Sequence, residues 1–178
     1  MTGRENDAAE APQFLRCAGM SAAAKAIFDE DISKMGFVMN VSRLWAHGPE
    51  AMAALFELMR VVTSSRPFTG PELAAGILRG DDSGLTAPEQ TMAAWARRIA
   101  RDPNGTSAAD VAELRQAGFS DSGIFAMTVF VALRVAFSTV NNALGVLPDA
   151  AYRSTAPAAV LDSVTYGRPI DGGPLSGS

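Results

Sequence analysis

The sequence predicts an all-α fold, and three observations carry the prediction. No stretch alternates apolar and polar residues for more than a few positions, so no strand stands out. Gly and Pro punctuate the chain at helix-length intervals. Ser/Thr-x-x-Glu/Asp signatures, which satisfy exposed backbone N–H groups at helix starts, stand just ahead of apolar runs. With 178 residues, 48% hydrophobic and 19% charged, the chain can build one core and should not stay disordered. Residues 1–12 are expected to form a flexible arm, 13–166 a single helical domain, and 167–178, rich in Gly, Pro and Ser, a flexible tail.

After the arm, "SAAAKAIFDEDISKMG" is an alanine-rich helix with Gly36 as its stop. "NVSRLWAHG" follows as a short helix with Asn40 near its N-cap. Pro49 and Glu50 open the third, "PEAMAALFELMRVV", whose Met52, Leu55, Phe56 and Met59 form a core stripe at helical spacing. Thr69 with Glu72, Thr86 with Glu89, and Ser107 with Asp110 mark three further starts. The helices they open are "PELAAGILRG", "PEQTMAAWARRIARD" and "AADVAELRQAG", with Gly80 and Gly118 placed as C-caps. The longest helix runs from about Asp121 to Leu144, and its N-terminal half is apolar on every face, which predicts a central helix buried all round. Arg134 breaks the apolar run, and Ser138, Asn141 and Asn142 follow. That leaves fewer than the roughly 20 apolar residues a bilayer span needs, so no membrane is expected. Beyond Pro148, "PAAVLDSV" is one short helix.

Net charge is −4 and no basic run occurs, which argues against a nucleic-acid surface. The first residues carry acids and no apolar core, so a cytoplasmic location is expected. Cys17 is the only cysteine and His47 the only histidine. An internal disulfide, a Cys-x-x-Cys pair and a histidine-clustered metal site are therefore excluded, and no cofactor or metal is expected.

Arg134, Ser138 and Asn141 stand at i, i+4 and i+7, one stripe of the long helix, with Asn142 at its edge. A buried guanidinium needs a partner. The stripe is either the wall of a pocket for a carboxylate-bearing ligand or an inter-helix or inter-subunit hydrogen-bond network, and the second is the commoner use of such groups. His47, where a short helix gives way to a Gly-Pro turn, is a weak candidate base and more simply a packing residue. Cys17 is a weak candidate nucleophile, since no neighbour in sequence lowers its pKa. Asp29, Glu30, Asp31 and the pair Asp81–Asp82 lack metal-loop spacing and are expected to be solvated.

Two stretches together resemble a known family. "LTAPEQTMAAWARRIARDPNGTSAADVAELRQAGFSDSGIFAMTVFVALRVAFSTVNNALGVLPD" (85–149) resembles the C-terminal half of carboxymuconolactone decarboxylase and alkylhydroperoxidase D-like proteins. "GFVMNVSRLWAHGPEAMAALFELM" resembles the opening segment of their peroxidase-related branch. The resemblance implies a compact, usually oligomeric helical bundle. Its reactive members carry a Cys-x-x-Cys or a single Cys on a helix between these stretches, with a Glu and a His to relay protons. Here "MRVVTSSRPFTGPELAAGILRG", from Met59 to Gly80, has neither Cys nor His, so the thiol-bearing helix looks shortened or deleted around 60–72. None of the family's catalytic residues carries over. The expectation is a thiol-inactive homo-oligomer or small-molecule-binding member. An active peroxidase, or a decarboxylase-like enzyme pairing His47 with Arg134, is the alternative. A deleted helix would also leave the 60–72 stretch mobile or at a subunit contact.

Overall fold

Ser21 starts the first helix: its Oγ accepts the backbone N–H of Ala24 at 3.0 Å. A computed structural model describes this helix and the rest of residues 13–62 and 76–172. In chain order the helices are α1 (Ala22–Met35), α2 (Asn40–Trp45), α3 (Pro49–Val62), α4 (Ala87–Arg101), α5 (Ala108–Gln116), α6 (Asp121–Ala143), α7 (Tyr152–Thr155) and α8 (Ala158–Ser163). Residues 76–79 are also helical, and a 3₁₀ turn, Pro103–Gly105, joins α4 to α5. Among the described residues there is no strand, as the all-α prediction requires.

The local punctuation falls where the sequence puts it. Thr86 and Glu89 bracket the start of α4, with the Thr86 N–H donating to Glu89 Oε2 at 2.8 Å. Ser107 does the same for α5, donating its N–H to Asp110 Oδ2 at 2.7 Å. Gly36, Gly80 and Gly118 take left-handed φ of 81°, 81° and 95° at their helix ends. The Thr69–Glu72 signature and most of the 60–72 stretch lie outside the described residues. The four-residue helix α7 was not anticipated.

The described residues fall into two compact units where the sequence suggested one domain. The first gathers those up to Met52, Val140–Tyr152 and those from Arg168 on; the second holds those of Ala53–Thr139 and Arg153–Gly167. In the first unit α2 is capped from a distance. Met39, not Asn40, is the N-cap residue and gives no side-chain cap. Instead Asp31 Oδ2 accepts the Met39 N–H at 2.9 Å, and Asp149 Oδ1 accepts the Asn40 N–H at 2.7 Å. The Asn40 side chain donates onward to the Leu147 carbonyl and to Asp171 Oδ2.

The same unit fastens both outer segments to the C-terminal end of α6. Carbonyls in a last helical turn have no partner inside the helix. The Leu144 carbonyl, just past α6, accepts the Phe14 N–H at 2.9 Å, and the Asn142 carbonyl accepts Arg168 Nη2 at 3.1 Å. The Arg168 guanidinium also lies 4.8 Å from the Phe14 ring centre. Arg168 and Asp171, placed in the expected tail, are thus held by the first unit.

The second unit has its core in Trp95, Leu114 and Ile124, with Ile99, Val111, Phe119 and Met127 packed around them. Two expectations of burial do not hold. Of the α3 stripe only Met59 is buried, while Phe56 is exposed and meets Phe137 edge to face at 5.5 Å. In α6 only Ile124 and Phe137 are buried, and Phe125 is 69% exposed. Composition shows that α6 is apolar, but one chain does not supply enough neighbours to cover it. By length and composition alone α6 could cross a bilayer.

Candidate functional site

The two weakest sequence candidates prove to be neighbours. Cys17 is an exposed free thiol just ahead of α1. His47, at the end of α2, places its Nε2 2.9 Å from the carbonyl oxygen of Arg16, the residue before Cys17. A carbonyl only accepts, so Nε2 holds the proton and Nδ1 is the basic nitrogen of the neutral ring. The pairing ties the segment ahead of α1 to α2.

The α6 stripe is distributed differently from its sequence reading. Arg134 is exposed, and its guanidinium stacks 5.4 Å from the ring centre of Phe137, one turn along the same helix. The guanidinium is thus not buried within the single chain. Ser138 and Asn142 are exposed as well. Asn141 is half-buried in the first unit, and its Oδ1 accepts the Trp45 indole N–H at 2.8 Å.

Two carboxylates expected to be solvated are not. Asp31 is buried against the N-terminus of α2, and Asp82 forms a two-pronged pair with Arg97 at 2.5 and 2.6 Å. The Arg97 hydrogen bond holds the Asp82 carboxyl below its usual pKa, against the cost of its partial burial. Asp149 goes the other way. Burial pushes its pKa up, the Asn40 backbone hydrogen bond opposes this, and the charges of Asp31 and Asp171 add to the rise. Among the described residues no group of three or more His, Cys, Asp or Glu side chains could hold a metal ion.

Sequence reading did not single out a groove between α4 and α5, in the second unit. It encloses about 280 Å³. Trp95, Ala94 and Leu114 give it an apolar floor, Gln90 and Thr91 line the α4 side, and Arg98, Asp110 and Glu113 bring charge. Trp95 and Leu114 are core residues, so the floor is fixed by the same packing that stabilises the unit. Arg98 Nη1 donates to Asp110 Oδ1, which also accepts from Ser107 through its other oxygen. The sequence signal was only the adjacency of two helices, which does not foretell an opening between them.

The fold is shared with solved structures. A peroxidase-related protein from Silicibacter sp. TM1040 superposes with a TM-score of 0.62, covering 82% of this chain and 96% of its own at 17% identity. An alkylhydroperoxidase AhpD core protein, likewise peroxidase-related, from Ralstonia eutropha JMP134 gives 0.62, with 81% and 96% covered at 16% identity. No protein-family model matches the chain, and no curated protein matches it either. The all-α architecture is thus that of the alkylhydroperoxidase D core.

Proposed function

We propose that this chain is an alkylhydroperoxidase D-like protein without thiol peroxidase chemistry, acting as a homo-oligomeric, small-molecule-binding member of that group in the cytoplasm. One observation carries the reading. Cys17 is the only cysteine, and it stands ahead of α1, outside the Met59–Gly80 stretch where the resemblance calls for the reactive thiol. Thiol peroxidases attack the peroxide with a thiolate, release the alcohol, and resolve the sulfenic acid with a second thiol. This chain offers no second thiol.

The exposed apolar surface supports the oligomer. Phe125, Val135 and Val140 on α6 are more than one-third exposed, and a second copy would cover such a face. Arg134 on the same helix would then serve a subunit contact or hold a small carboxylate. The helix would act as a packing surface and not as a membrane span.

A second reading, an active peroxidase, is favoured by the position of His47 beside the residue that precedes Cys17. A decarboxylase-like reaction would need His47 and a carboxylate-holding Arg134 to act together.

Hydroperoxide consumption with a dithiol reductant, run beside a Cys17→Ser variant, tests the choice. No turnover in either protein is expected. Turnover that vanishes with Cys17 would replace the first reading with the second. Light scattering should give a mass above the 18.6 kDa of one chain, and a mass equal to it would remove the oligomer.

A further inference from the structure

We infer that the groove between α4 and α5 is a binding site for small organic cations, a primary ammonium carried on one aromatic ring. The inference stands apart from the proposed function, since it uses neither Cys17 nor Arg134.

The hydrogen-bond bookkeeping of the lining decides the ligand. The Gln90 amide nitrogen donates to the carbonyls of Asp82 and Leu85 at 3.1 and 3.0 Å, which leaves its Oε1 as an acceptor. The Thr91 hydroxyl donates to the Ala87 carbonyl at 3.1 Å, so it too faces a ligand as an acceptor. The Trp95 indole N–H donates to Thr128 Oγ1 at 3.0 Å. Only Arg98 keeps N–H groups in reserve, and Asp110 neutralises its charge. Glu113 lines the same space, and its carboxylate has no hydrogen bond or ion pair among the described residues. The groove therefore has acceptors to spare and one unbalanced negative charge.

A ligand that fits must bring donors and a positive charge. An ammonium supplies three N–H groups and pairs with Glu113 through charge-assisted hydrogen bonds. Its apolar body replaces water over Ala94 and the small exposed part of Trp95, with Leu114 buried behind them, and a cation beside an indole gains further attraction. The volume of about 280 Å³ lies at the small end of ligand sites, which suits a single ring. A carboxylate of the same shape would meet Glu113 with like charge and find few free donors.

The test is calorimetric titration of the full chain with 2-phenylethylammonium and, for comparison, with 3-phenylpropionate. The ammonium should bind, and the carboxylate about tenfold more weakly or not at all. Glu113→Gln, at an exposed position with no partner to lose, should weaken the ammonium about tenfold while leaving thermal unfolding unchanged. The chain has two tryptophans, so the indole ¹⁵N–¹H signals locate the site: Trp95 should move and Trp45 stay. The inference is overturned if neither compound binds, if the carboxylate binds as well, if Glu113→Gln changes nothing, or if Trp45 is the signal that moves.

Discussion

The carboxylate of Asp149 accepts the backbone N–H of Asn40 at 2.7 Å, joining residues 109 positions apart. It caps a helix whose own N-cap residue, Met39, has no side-chain acceptor. Burial raises its pKa, so the folded state holds the proton more tightly than the unfolded chain does. Ionisation of Asp149 therefore costs stability at neutral pH, and the cost is relieved as pH falls through its raised folded pKa. Asp149→Asn keeps an oxygen for Asn40 without the charge. It should have a higher urea midpoint than the natural protein at pH 7, with the difference shrinking on acidification. Asp149→Ala loses the acceptor and should lower stability by about 1 kcal/mol. A lower midpoint for the Asn variant at pH 7 would show that the charge is needed.

Asp82 has the opposite sign. The Arg97 hydrogen bond depresses its pKa, so its contribution is present above the ordinary carboxylate range and is lost as pH falls through the lower folded value. Asp82→Asn should be less stable than the natural protein at pH 7 and equal to it in acid. Unfolding midpoints across that range will show convergence, and parallel curves would mean the pair contributes nothing.

Trp95 and Thr128 form a relay in the core of the second unit. The indole N–H donates to Thr128 Oγ1 at 3.0 Å, and the hydroxyl donates to the Ile124 carbonyl at 2.7 Å. Thr128→Val leaves the buried indole N–H without a partner and should cost about 1–3 kcal/mol. Leu114→Ala, at the most buried position of this unit's core, should cost about 2–5 kcal/mol. Both are read by denaturant unfolding, and a smaller loss for Leu114 than for Thr128 would place the core elsewhere.

Gly145 has φ +77°, and a Cβ there would come within 2.5 Å of the Phe14 ring. Gly145→Ala should destabilise by about 1–2 kcal/mol from the left-handed backbone alone, with a further steric part. Combining it with Phe14→Ala should recover the steric part only. Full recovery in the double variant would mean that the backbone carries no strain.

What the sequence disclosed and what it withheld divide by distance along the chain. The Thr86–Glu89 and Ser107–Asp110 starts and the Gly118 end were legible because each is made by residues within a turn or so of one another. The capping of α2 was not, since its acceptors come from Asp31 and Asp149, and nothing near Asn40 announces them. The exposure of Arg134 was misread for a related reason. An apolar helix suggests burial, but sequence does not say how much of its surface its own chain will cover. Nothing in the sequence singles out Glu113, and it becomes notable only because α4 and α5 bring it to the same groove as Trp95.

The division into two units also orders events in time. The second unit is built mainly from one continuous stretch, Ala53–Thr139, while the first needs pieces from both sides of it. Its closing contacts, Phe14 with Leu144 and Arg168 with Phe14, span most of the chain. Closing so long a loop before the middle is compact carries a large entropy penalty, which collapse of the intervening stretch reduces. During synthesis the residues around Phe14 must wait for those around Leu144 and Arg168 to be made. The unit that holds Cys17 and His47 therefore draws on residues made at both ends of synthesis, whereas the second needs mainly the middle of the chain.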